Sequence, residues 1–268
     1  MVRVEPDVKP NVVHGGSLHE RRERLSKLVP KIGPVTFARD RVLPVERALE
    51  PLFPEAGIMR GSVIGCQGTT AMSVALALVA GPSAAGSWLA VVGVPSLGLR
   101  AASEVGIALD RLVMVADQAR DLGEEPWANV ISALIDGFDV IVLRADVRAG
   151  IARRLQSRLQ NRGAVLVLVG DPGPFSCDVV INCRQGEWEG LGHGSGRLVR
   201  RRLTLSASGR RLPRERWIDV WLPGAGGSIE PVVAGAGPDE LSTLSPTMPP
   251  TIEPTIEPDQ APGIALAG

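Results

Sequence analysis

Lysine runs out early in this chain. Lys9, Lys27 and Lys31 are the only ones, and every other basic residue is arginine. An ammonium group is thereby excluded from any site later in the sequence. Cysteine is also sparse. Cys66, Cys177 and Cys183 make an odd number in a chain of 268 residues, which argues against a disulfide scaffold. No C-x-x-C pair occurs, so a zinc site built from these thiols and His193 is not expected. Cys177 and Cys183 stand an even number of residues apart across "DVVIN", which predicts one shared strand face. No apolar run reaches the roughly 18–20 residues of a membrane span. The opening "MVRVEPDVKPNVVHGG" lacks the apolar stretch of a secretory leader. These absences predict a cytoplasmic protein.

The charge that is present is unevenly placed. The formal net charge is zero, yet residues 197–216 carry Arg197, Arg200, Arg201, Arg202, Arg210, Arg211, Arg214 and Arg216 against Glu215 alone. After Arg216 every charged residue is acidic. The arginine segment is a candidate surface for nucleic-acid phosphates or for a partner's acidic patch. A charged edge strand guarded against aggregation is the competing reading. Arginines 200–202 are consecutive, so on a strand they project from both faces. The segment lacks the interleaved aromatics on which single-stranded bases stack, Trp217 being the nearest.

Apolar runs and turn residues divide the chain. Residues 1–16 read as a flexible leader. A short helix follows at 17–29, with Ser17 and Glu20 at capping-box spacing. Leu18, Leu25 and Leu28 give that helix an apolar stripe for folding back or for docking on a partner. A proline-punctuated linker to residue 56 leads to the core. From there "GSVIG", "SWLAVVGV", "RLVMVAD", "FDVIVLR" and "AVLVLVG" read as buried strands. Helices are expected between them at 69–80 (stopped by Gly81 and Pro82), near 98–105, at 126–136, and after Asp146 as N-cap. "CDVVINC", "RLVRRRLTLSAS" and "WIDVWLP" then predict a β-rich edge. From residue 224 the composition predicts a disordered acidic tail.

One stretch bears directly on chemistry. "GCQGTT" joins a predicted strand to a predicted helix, where a phosphate-binding loop would stand. Gly65, Gly68, Thr69 and Thr70 are its candidate nucleotide-binding residues. The reading is a tight strand-to-helix turn, with weak phosphate contact through helix-terminal amides as the alternative.

The order of these pieces over residues 57–211 resembles the RecA family core. Within that family the small, arginine-rich form is similar to the ImuA-prime proteins, actinobacterial accessory factors of a mutagenic translesion-synthesis cassette. Against the family's phosphate loop, G-x-x-x-x-G-K-[ST], the stretch from Gly65 is two residues shorter and Thr69 stands where lysine belongs. The magnesium-orienting acid corresponds to Arg144 and the catalytic glutamate to about Pro95. The family's DNA-contacting loops are also cut down. The resemblance therefore implies a RecA-like α/β fold with a mostly parallel sheet covered on both faces, spanning 57–223. It implies a pseudo-ATPase with no catalytic residue, metal or cofactor. The expected partner is a Y-family-polymerase-like adaptor, and through it an error-prone polymerase and the sliding clamp, with direct DNA contact as an option. A divergent RecA-like ATPase or recombinase, or a nucleic-acid-binding regulator acting through 197–216, are the competing functions.

Overall fold

The computed structural model describes residues 41–115, 123–144, 147–191 and 196–232. The predicted leader, the helix at 17–29 with Leu18, Leu25 and Leu28, and the tail beyond 232 lie outside the described residues.

The chain forms a short antiparallel pair, β1 (Val42–Pro44) and β2 (Gly57–Met59), around a 3-10 turn at Glu50–Leu52. Five apolar strands follow: β3 (Val63–Gln67), β4 (Leu89–Val92), β5 (Leu112–Val115), β6 (Val140–Leu143) and β7 (Val165–Val169). They are separated by helices α1 (Ala71–Ala84), α2 (Leu99–Val105), α3 (Glu124–Gly137) and α4 (Ala149–Arg162). Two long strands, β8 (Val179–Leu191) and β9 (Gly196–Ser208), precede β10 (Arg216–Trp221) and β11 (Glu230–Pro231). One nine-stranded sheet runs β11-β10-β9-β8-β3-β7-β6-β4-β5. Strands from β8 to β5 in that order are parallel, whereas β8, β9, β10 and β11 are joined antiparallel.

Burial explains why the parallel strands are uniformly apolar. Every residue of β4 and β6 is buried, because helices cover both faces. On one face lies α1, apolar all round and enclosed between the sheet and the segment carrying Leu43, Val45, Leu49, Leu52 and Phe53. On the other face α3 and α4 place Ile131, Ile135, Ile151, Leu155 and Leu159 against Val63, Ile141, Leu143 and Leu166. Arg158 and Arg162 of α4 both pair with Asp136 of α3.

Several boundaries differ from the sequence reading. The expected linker up to residue 56 is core from Val42 onward, because its Leu and Phe side chains close the outside of α1. Gly81 and Pro82 do not stop α1, which runs to Ala84. Gly81 is there for space: a Cβ would meet the Pro44 carbonyl oxygen at 2.8 Å and Val45 Cα at 2.9 Å. The sheet also continues past residue 223, since Val220 and Trp221 pair with Pro231 and Glu230. Asp146 lies outside the described residues, and α4 begins at Ala149 with Arg148 in the capping position.

Candidate functional site

In open α/β sheets, ligands bind at the carboxyl ends of the parallel strands. Here that end presents the turn after β3, Pro95 after β4, and Arg144 after β6. Pro95 and Arg144 are both exposed. The Arg144 amide donates to the Val92 carbonyl at 3.1 Å, fixing its backbone at the end of the sheet.

The turn itself is only Gly68, Thr69 and Thr70. Gly65 is not part of it, contrary to the sequence reading. It lies inside β3, paired with Leu168 on one side and Val180 on the other. A Cβ at Gly65 would touch Cys177 Sγ at 3.3 Å, so this glycine serves sheet packing. Gly68 takes φ +98°, a left-handed conformation that disfavours any side chain, and it backs directly onto the Cys183 carbonyl of β8. The Ala71 amide donates to Gly68 O at 3.2 Å, and the Val74 amide to Thr70 O at 3.1 Å. The chain thus passes from strand to helix in one tight step, without the wide loop that encircles a phosphate.

The two threonines part company. Thr69 is exposed at the helix start, whereas Thr70 is buried, occupies the N-cap and makes no side-chain capping bond. Its hydroxyl finds no oxygen or nitrogen partner. It faces the Cys183 thiol, which burial pushes up to about 11 with the Thr70 hydroxyl opposing that shift. The hydroxyl expected at a metal or phosphate is therefore turned into the protein.

Cys177 and Cys183 do not share a strand face. Cys177 precedes β8 and packs on the α3–α4 side, while Cys183 belongs to the core on the α1 side. Burial also raises the Cys177 thiol, to about 11, and pushes Cys66 well above the ordinary thiol range.

The arginine segment divides in space. β9 and β10 are antiparallel, with Arg216 opposite Ala207 and Trp221 opposite Arg202, so the two groups of arginines sit at opposite ends of the strands. At one end Arg210 and Arg211 both donate to Asp178 Oδ1, at 3.0 and 3.2 Å. Arg216 there donates to the Pro51 and Phe53 carbonyls at 3.0 and 2.9 Å. Arg214 is exposed in the connection between β9 and β10. At the other end Arg197 is exposed, and with Leu198, Glu104 and the Pro223–Gly227 turn it lines an open cleft. Arg200 donates to Glu189 at 2.7 Å, and Arg202 to Asp219 at 2.6 Å. Arg201 donates to the Leu222 carbonyl at 3.0 Å, and burial holds its guanidinium below the ordinary value. A single eight-arginine patch does not exist, because chain reversal separates what the sequence places together.

Comparison with known proteins follows the same division of the chain. Residues 51–174 match a family described as the MT3502 N-terminal domain. That span holds β2 to β7 and ends just before β8. Over 121 residues the chain is 36% identical to "Uncharacterized protein Rv3395c" of Mycobacterium tuberculosis (strain ATCC 25618 / H37Rv). The match covers 45% of this chain and 51% of that protein, so the chain spans about half the length of the curated relative it matches. Among solved structures, the RadB recombinase superposes with a TM-score of 0.51 at 12% identity, over 70% of this chain and 97% of that one. The fold is RecA-like.

Beyond the MT3502-like span, the structure brings together residues that the sequence reading did not combine. Arg184 lies over the Trp217 ring at 5.0 Å, Arg200 over Trp221 at 3.9 Å, and Arg201 over Trp188 at 5.0 Å. The expectation that this region lacks interleaved aromatics is corrected: the tryptophans come from β8 and β10, on either side of the arginine strand. The alternation Trp217-x-Asp219-x-Trp221 was the available signal.

Proposed function

We propose that this protein is a non-catalytic RecA-like accessory factor of DNA-damage-induced mutagenic translesion synthesis, of the ImuA-prime kind. On this reading the fold is a platform that binds a Y-family-polymerase-like adaptor in the cytoplasm. Through the adaptor it helps assemble an error-prone polymerase at the sliding clamp. The observation that carries the non-catalytic part is the turn after β3, with Thr70 buried toward Cys183 and Gly68 backed against β8. Phosphoryl transfer depends on positioned positive charge and metal. At this strand end Thr69, Arg144 and Pro95 stand where the family has lysine, acid and glutamate. The adaptor part rests on the resemblance to ImuA-prime proteins.

The test has two readouts on the purified full chain. One is magnesium-dependent ATP hydrolysis, expected at background. The other is capture of the Y-family-polymerase-like adaptor from DNA-damaged cells, identified by mass spectrometry. Hydrolysis that disappears in Thr70→Ala would overturn the non-catalytic reading. Failure to recover the adaptor would remove the platform reading. A nucleic-acid-binding regulator is the second function, favoured by the Trp–Arg stacks on β8–β10.

A further inference from the structure

Alternation along β10 places Trp217, Asp219 and Trp221 on one face. Ile218 and Val220 point the other way, into the core on the α1 side. On an extended strand the two tryptophans stand about 13 Å apart. Trp217 is aligned with Ser206 of β9, and Ser206 with Asn182 of β8. Trp221 is aligned with Arg202. This face continues the side of the sheet that α3 and α4 cover over the parallel strands. Over β9 and β10 it is open enough to leave Trp217 48% exposed.

The arginines on this face are set against rings. The Arg184 guanidinium lies 5.0 Å from the Trp217 centroid and Arg200 3.9 Å from that of Trp221. Their charge is partly answered within the face: Arg200 by Glu189, and Arg202 by Asp219, which also accepts from the Thr204 hydroxyl at 2.7 Å. What remains for a ligand is flat, polarisable area with modest positive charge. An acidic peptide needs open cations, which are few here. A duplex keeps its base faces stacked and unavailable. A single strand offers splayed bases that stack on indole and guanidinium planes, and it tolerates a small number of phosphate contacts.

We propose that the outer face of β8–β10, centred on the Trp217–Arg184 and Trp221–Arg200 stacks, binds single-stranded nucleic acid by base stacking. The site lies on the antiparallel strands, apart from the turn after β3. It goes beyond the adaptor reading and stands or falls without it, since its test needs only the protein and an oligonucleotide. DNA and RNA strands share the required chemistry.

The test is fluorescence anisotropy of labelled homopyrimidine strands, in deoxy and ribo forms, against the full-length protein over a salt series. Binding of either form is expected. Trp217→Ala should weaken it about tenfold, the size of one lost base–aromatic stack. Trp217→Phe should restore most of the affinity. Arg184→Gln provides a second weakening variant should Trp217→Ala disturb the fold, which a thermal melt reports. The salt slope should be shallow, with affinity falling about 0.7 log unit per tenfold rise in salt for each of very few phosphate contacts. Preference for one sugar form identifies the natural strand and leaves the site in place. Absence of binding to both forms overturns the proposal. So does binding that is steeply salt-dependent and equal in wild type, Trp217→Ala and Arg184→Gln.

Discussion

The two halves of the sheet solve burial differently. Strands β3, β4, β6 and β7 are short, parallel and apolar on both faces, since helices cover both, while β5 at the edge leaves Val113 and Met114 exposed. Strands β8 to β10 are joined antiparallel and two-sided: Leu203, Leu205 and Ala207 face the core, while Arg202 and Thr204 face outward. A strand buried on both faces has little freedom to display chemistry, so the parallel half can act only at its carboxyl end. The antiparallel half acts through a whole face. At the parallel end the structure shows a tight turn with an inward threonine. On the outer antiparallel face it shows two Trp–Arg stacks, Arg184 on Trp217 and Arg200 on Trp221, while the third, Arg201 on Trp188, lies on the side of Leu203 and Leu205.

The comparison can be broken most severely from the parallel side. Ile141 is fully buried between α3, α4 and the neighbouring strands. Ile141→Ala should therefore cost about 4 kcal/mol in urea unfolding. Gly68 lies at the seam, against the Cys183 carbonyl of β8. Gly68→Ala should cost about 3 kcal/mol through backbone strain and that clash, whereas Gly65→Ala, needing only a small shift of Cys177, should cost less. A smaller loss is expected at the opposite end of the seam. Asp178 accepts from the Val63 amide at 2.9 Å and holds Arg210 and Arg211. Asp178→Ala leaves that buried amide unpaired and should cost about 2 kcal/mol.

Two further measurements sharpen the contrast without large stability changes. The thiols of Cys177 and Cys183 are pushed up to about 11, and that of Cys66 higher still, all by burial first. Native protein at pH 8 should react slowly with iodoacetamide, and urea should release fast labelling of all three. Asp219 is held below the usual carboxylate range by the Thr204 hydroxyl first and Arg202 next. Because its folded value is depressed, its contribution is present above the unfolded carboxylate range, near pH 4. That contribution fades as pH falls through the lower folded value. Hydrogen exchange should loosen at the β9–β10 pairing below pH 4, and Asp219→Asn should remove that dependence. The effect should stay below about 1 kcal/mol, since the pair is partly exposed.

Local signals read the parallel half well. Apolar runs such as "DVIVL" and "AVLVLV", each followed or preceded by an amphipathic helix, leave few arrangements other than a covered parallel sheet. The inward face of α4, with Ile151, Leu155 and Leu159, follows directly from helical spacing. Gly81 shows the limit of such reasoning. The residue pair Gly-Pro signals a stop, yet here the glycine is required by a strand segment far away in sequence. Gly65 is similar: the motif places it in a phosphate-binding loop, whereas the structure places it inside β3 against Cys177.

By itself the sequence determined the RecA-like alternation and the absence of any lysine at the strand-to-helix turn, because both depend on residue identity and short-range spacing. Only the tertiary structure decided which way Thr70 points, which arginines lie together and where the tryptophans fall. Those facts depend on the register of β8, β9 and β10, whose partners lie up to tens of residues apart and whose pairing shifts between Gln185 and Trp188. One shift of that kind reassigns every side chain beyond it to the opposite face.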